Sequence, residues 1–196
     1  MVNSSEFCSS MKLKALKAIE HIKSFLVLAM IALALTVIPL SPPVSAQPLN
    51  SWSSTTSYPT GIASTGIASQ SCATNSGFIY CVGGTSPSPT SAVYFAPISS
   101  SGVGTWTPTT SYPFSITEQS CVARASFVFC VGGLSFPIGP TIDVFFAPIS
   151  SSGVGTWTST NSYPFTIFEQ SCVTRASLIY CVGGNPPTGT SAVFFG

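Results

Sequence analysis

Six cysteines, three carboxylates and two arginines are the residues of 47–196 that could carry reactive or charged chemistry. The cysteines fall into pairs nine positions apart: Cys72 with Cys81, Cys121 with Cys130, and Cys172 with Cys181. Zinc knuckles place their thiols about two to four residues apart, so this spacing argues for oxidised pairs. If Ala125 and Ser126 form a two-residue hairpin turn, Arg124 lies opposite Phe127, and counting back sets Cys121 opposite Cys130. That position is a non-hydrogen-bonded pair, where the Cα atoms stand about 4.5 Å apart, within disulfide reach. The same count works around Ser76 and Gly77, and around Ala176 and Ser177. A four-residue loop of the same symmetry would leave the register unchanged.

Glu118 and Glu169 invite a paired-carboxylate reading, the equipment of glycosidic chemistry. They occupy one position of successive copies of a repeated phrase, where the first copy has Ser69, and that recurrence favours a polar contact at the surface or between copies. Arg124 and Arg175 are also equivalent, with Asn75 in the first copy. They either meet a Glu of a neighbouring copy or stand solvated at the hairpin turn, and the second reading is preferred. Asp143, with Ala92 and Ala192 in its place elsewhere, reads as a strand-start residue. The single His, His21, lies outside this region, which removes a Ser-His-Asp triad and a His-containing metal site. The Gly83-Gly84 pairs close strands and open no helix, so they are not a phosphate loop. No catalytic, cofactor-binding or metal-ligating residue is assigned.

These residues ride on a phrase of about fifty residues written three times. Each copy opens on Trp (Trp52, Trp106, Trp157), passes through Ser-Tyr-Pro, and reaches Gln-Ser-Cys at Gln70, Gln119 and Gln170. It then runs through Cys-Val-Gly-Gly to a Val-aromatic-Phe segment at Val93, Val144 and Val193. The tryptophans are 54 and 51 residues apart. Repeats of this period are supersecondary units that bury their apolar faces only against one another. The boundaries read as 47–105, 106–156 and 157–196, the last truncated.

Residues 1–46 read as a secretory signal peptide. Lys12, Lys14, Lys17 and Lys23 precede a 14-residue apolar run over 25–38, followed by prolines and Val44-Ser45-Ala46, with cleavage expected before Gln47. The run is shorter than the roughly 18–20 residues of a spanning helix, and an uncleaved anchor is the alternative. The remaining chain carries Arg124 and Arg175 against Glu118, Asp143 and Glu169, a net charge of −1. That balance excludes phosphate-driven nucleic-acid binding. An even cysteine count suits an oxidising compartment.

Turn residues every 8–12 positions and the absence of helical periodicity predict an all-β chain of four short strands per copy. In the second copy these are a Trp strand at 105–107, then 119–124, 127–131 and 143–147, with Pro148 as the stop. Phe127-Val128-Phe129-Cys130-Val131 is apolar on both faces, which predicts a strand covered on both sides.

The order aromatic-Cys-Val-Gly-Gly, Val-x-Phe, Trp, Tyr-Pro resembles the kelch motif over residues 52–196. Kelch repeats form four-stranded β-propeller blades, so the resemblance implies a propeller with three blades present. Two departures stand out: the paired cysteines, and Ala96-Pro97 and Ala147-Pro148 where an acidic residue is usual. Kelch-type copper oxidases use His, so no copper site carries over. Propellers hold roughly 4–8 blades, so either this is part of a longer propeller, the preferred reading, or two chains complete a six-bladed ring. The expected role is an exported module that binds an unidentified protein or glycan, or serves a structural role, at the cell surface without catalysis. The alternative is part of an extracellular glycan-acting propeller enzyme. Loops 85–91, 134–141 and 185–190 differ among the copies and are where specificity would lie.

Overall fold

The computed structural model describes residues 51–59, 66–186 and 189–196, with Glu20 and Lys23. It divides into two units, Met1–Ser51 and Trp52–Gly196. In the first, Glu20 and Lys23 are helical and exposed. The expected signal peptide and its cleavage site otherwise lie outside the described residues. Among the described residues no helix is long and apolar enough to cross a membrane.

The second unit is all-β and antiparallel. Its first sheet is built from β1 (Ser71–Asn75), β2 (Phe78–Val82) and β3 (Val93–Ser99), with β4 (Gly102–Val103) folded back on the end of β3 and β5 (Thr107–Pro108) along its outer edge. A short β6 (Ile116–Thr117) leads to the second sheet, which opens with β7 (Ser120–Arg124) and β8 (Phe127–Val131). A small hairpin follows, β9 (Leu134–Ser135) with β10 (Gly139–Pro140), and β9 also pairs with β6. The second sheet continues through β11 (Val144–Ser150), β12 (Gly153–Val154) and β13 (Thr158–Ser159). The third sheet is β14 (Ser171–Arg175), β15 (Leu178–Val182) and β16 (Val193–Phe195).

The hairpin register is the one counted from the sequence. Arg124 faces Phe127, Cys121 faces Cys130, and the other two hairpins repeat the pattern. All three disulfides are formed, with Cα separations of 4.1, 4.0 and 4.1 Å. The turn is tight enough that Ser76, Ala125 and Ala176 adopt positive φ.

Two features differ from the sequence expectation. The strand expected to stop before Pro148 runs through it to Ser150. The Pro148 carbonyl accepts from the Gly155 N–H while the Ile149 N–H reaches back to the Ser126 carbonyl. The proline nitrogen therefore faces away from β8 and removes no bond from that ladder. Second, phrase and sheet are out of step. The strand after Trp106 pairs with β3, and the strand after Trp157 pairs with β11. Both of these Trp strands are thus the outer strands of the sheets before them.

The core lies between sheets. Side chains alternate across a strand, so Ala73, Tyr80, Val82, Val93 and Phe95 share one face of the first sheet. They pack on Cys121, Val128, Cys130, Ala147 and Ile149 of the second. The other face of the second sheet, with Val122, Phe129, Val131 and Val144, packs on Cys172, Ile179, Cys181 and Phe194 of the third. The doubly apolar β8 is accordingly covered on both faces, except at exposed Phe127.

Candidate binding face

The strands begin and end so that two kinds of surface form. The hairpin turns, with Asn75 and Arg124, lie at one end of the ladders. The segments before β1, β7 and β14 lie at the other, with the loops that follow the Gly-Gly pairs. These loops are held by backbone bonds to the inner segments: Gly84 N–H donates to Ile116 O and Gly133 N–H to Ile167 O. The 134–141 loop is fixed further by the β9–β10 hairpin and its pairing to β6. A rigid loop costs less ordering entropy on binding.

At this end the structure brings Glu118 and Glu169 into one ladder. Glu118 N–H donates to Ser69 O, and Glu169 N–H donates to Glu118 O. All three residues have positive φ, between 57° and 59°. Beside them Gln119 and Gln170 are buried, their amide groups donating to Val82 O and Val131 O of the preceding sheet. Burial, and then the neighbouring Glu169, raise the Glu118 pKa above the usual carboxylate value. The contact between copies at these positions is made by backbone N–H and C=O groups, with Glu118 half-buried and Glu169 exposed.

Asp143 is placed differently, at the start of β11. It accepts from Thr141 Oγ1 at 2.7 Å while its own N–H donates to that hydroxyl at 3.0 Å. Burial, and secondarily this carboxylate, push the Tyr112 phenol up. Among the described residues no group of three or more His, Cys, Asp or Glu side chains could hold a metal ion.

Arg124 requires a correction. It was expected to be solvated at its turn, yet its guanidinium donates to Ser177 O of the next hairpin and lies 4.8 Å from the Phe129 ring. The five donors of a guanidinium readily satisfy a turn carbonyl that a neighbouring sheet presents, and its flat face stacks on an aromatic ring. Asn75 does the same one sheet earlier, donating to Ala125 O at 2.7 Å. Arg175 is exposed.

What the residue-by-residue reading missed is the apolar tip of the middle loop. Where the first copy has Ser86-Pro87-Ser88, the second has Phe136-Pro137-Ile138, and Ile138 is 86% exposed. The signal available was the replacement of serines by Phe and Ile at a loop between two otherwise matching strands.

No family model and no curated protein matches the chain. Among solved structures it is similar to the one described as "Structure of YjhT", at 16% identity and a TM-score of 0.50. The match covers 60% of this chain and 34% of that one, so this chain spans about a third of that structure's length. At this identity the likeness concerns the fold alone.

Proposed function

We propose that the chain is an exported kelch-type propeller module whose three disulfide-stapled sheets are three blades, and that it acts by binding at the cell surface. The observation that carries the binding reading is the exposed Phe136 and Ile138 on a loop whose backbone is pinned by β6. Exposed apolar side chains on a rigid support are the usual anchors of an interface. The partner is a protein or a glycan whose apolar ring faces could stack on Phe136. Three disulfides in one small chain support an oxidising, extracellular setting. Catalysis is not part of the reading, because Glu118 and Glu169 hold one position of successive copies whose first copy has Ser69.

The test is a glycan array and a panel of purified surface proteins probed with the full chain and with Phe136→Ser/Ile138→Ser. Binding that the double variant loses, at unchanged melting temperature, supports the proposal. Binding that survives in the variant, or hydrolysis of an arrayed glycan, defeats it.

A further inference from the structure

The three copies are not equally complete, and what one end lacks the other end carries. Trp106 packs edge-on to Tyr58 with ring centroids 4.8 Å apart, and its Nε1 donates to Thr56 O. Trp157 packs in the same way on Tyr112 at 4.9 Å and donates to Thr110 O. The third position has Tyr163 against Phe165 and Phe194, but among the described residues no indole joins them. A cavity of about 370 Å³ lies there instead, lined by Asn161, Tyr163, Phe194 and residues of the second sheet. Among the described residues no strand pairs with the outer edge of β16 either. Conversely, Trp52 is 92% exposed, while Thr55, three residues on, is bonded to Val103 N–H and O as Thr109 is to Val154. The segment around Thr55 therefore stands where the outer strand of a preceding sheet would lie.

The sheet faces repeat this complementarity. In the first and second sheets the face bearing Val82 and Val131 is covered by the next sheet. In the third, Val193 is 57% and Phe195 70% exposed. The polar counterparts also match. Ser71 Oγ accepts from Cys121 N–H and Ser120 Oγ from Cys172 N–H, so exposed Ser171 would be the matching acceptor for a Cys72 N–H. Gln119 and Gln170 reach Val82 O and Val131 O, which leaves Gln70 for Val182 O.

We infer that a second copy of this chain docks its first sheet on the third sheet of the first copy, threading its Trp52 strand along β16. By the register of β5 and β13, Ser53 stands opposite Phe195 and Ser54 opposite Phe194, with the Trp52 ring in the cavity beside Tyr163 and its Nε1 donating to Asn161 O. A second copy is the occupant because each chain holds both halves of the contact. Six such sheets fall within the roughly 4–8 that close a propeller. The inference rests on packing between copies, not on the loop tip.

Light scattering and acrylamide quenching of tryptophan on the full chain test it. Trp52→Ala and Val193→Lys alter side chains that are exposed within one copy, so each variant should fold. The expected result is a dimer in which Trp52 is shielded from quencher, and in which each variant raises the dissociation constant at least about thirtyfold. Three results would overturn the inference: a monomer with Trp52 freely quenched; a monomer with Trp52 shielded, which means the chain closes on itself; or an association that neither variant weakens. Phe136→Ser/Ile138→Ser should leave the dimer intact, which separates this contact from the loop reading.

Discussion

The first and third sheets are spelled by nearly the same phrase, yet their equivalent residues live in different surroundings. Val82 is fully buried and Val182 is 47% exposed, although each follows the second cysteine of its pair. Tyr80 is buried and donates to Ser150 O of the second sheet, while Tyr180 is only partly covered. The contrast shows that burial here belongs to the neighbour and not to the strand, as expected of arrays stabilised by terms between successive units. Strand identity is local, whereas stability is a property of pairs of sheets.

The sharpest way to break this comparison is at its glycines. A Cβ on Gly132 would lie 2.4 Å from Ile167 O, at φ +59°, whereas at Gly183 the nearest contact is Thr190 O at 3.8 Å, at φ +65°. Gly132→Ala should therefore cost about 2–5 kcal/mol, the sum of a left-handed backbone and an overpacked contact. Gly183→Ala should cost only the backbone part, about 1–2 kcal/mol. Denaturant melts at concentrations too low for association compare the two, and equal losses would refute the neighbour argument.

Disulfide removal comes next. Closing a ten-residue loop contributes about 2.5–3 kcal/mol in the chain-entropy account. Cys121→Ala/Cys130→Ala should lose at least that, because both side chains are buried between two sheets. Cys72→Ala/Cys81→Ala should lose less, since Cys72 is exposed. Non-reducing peptide mapping that links different repeats would remove the basis of both numbers.

A smaller test uses the equivalent tyrosines. Tyr80→Phe gives up its 2.9 Å bond to Ser150 O and should cost about 1 kcal/mol. At the same low concentrations Tyr180→Phe, with no sheet facing it among the described residues, should stay within about 0.5 kcal/mol.

The smallest effect is electrostatic. Because the folded Glu118 pKa is raised, the folded chain holds its proton longer than the unfolded chain. Stability should be greatest below the ordinary Glu range and should decline as pH rises through that value to the raised one. Glu169→Gln should bring the Glu118 midpoint partly back down, because burial is the larger cause. A side-chain NMR titration that returns Glu118 fully to normal in that variant would assign the shift to charge alone.

The sequence made legible whatever depends on short-range counting. Cysteine pairing followed from the distance between Cys121 and Cys130 and the symmetry of the turn, and the buried character of β8 followed from its apolar run. Contacts set by a partner fifty residues away were not legible. Nothing local tells Arg124 that the Ser177 carbonyl faces it, or tells the strand after Trp106 that its partner is β3. Pro148 was misread for a related reason, because whether a proline ends a strand depends on which side its nitrogen faces. Recurrence itself carries long-range information: Glu118 and Glu169 hold one position of successive copies, and their backbones meet. The loop tip at Phe136 breaks recurrence, so it stood out only against the other copies.

The offset between phrase and sheet has a mechanical consequence. Because β5 comes from the second phrase yet lies along β3, tension on the segment joining the first two sheets meets a hydrogen-bonded strand that must be stripped before they part. The Thr109 clasp on Val154 N–H and O then loads the second sheet in turn. Pulled at Trp52 and Gly196, the repeated unit should yield in discrete steps of one phrase each.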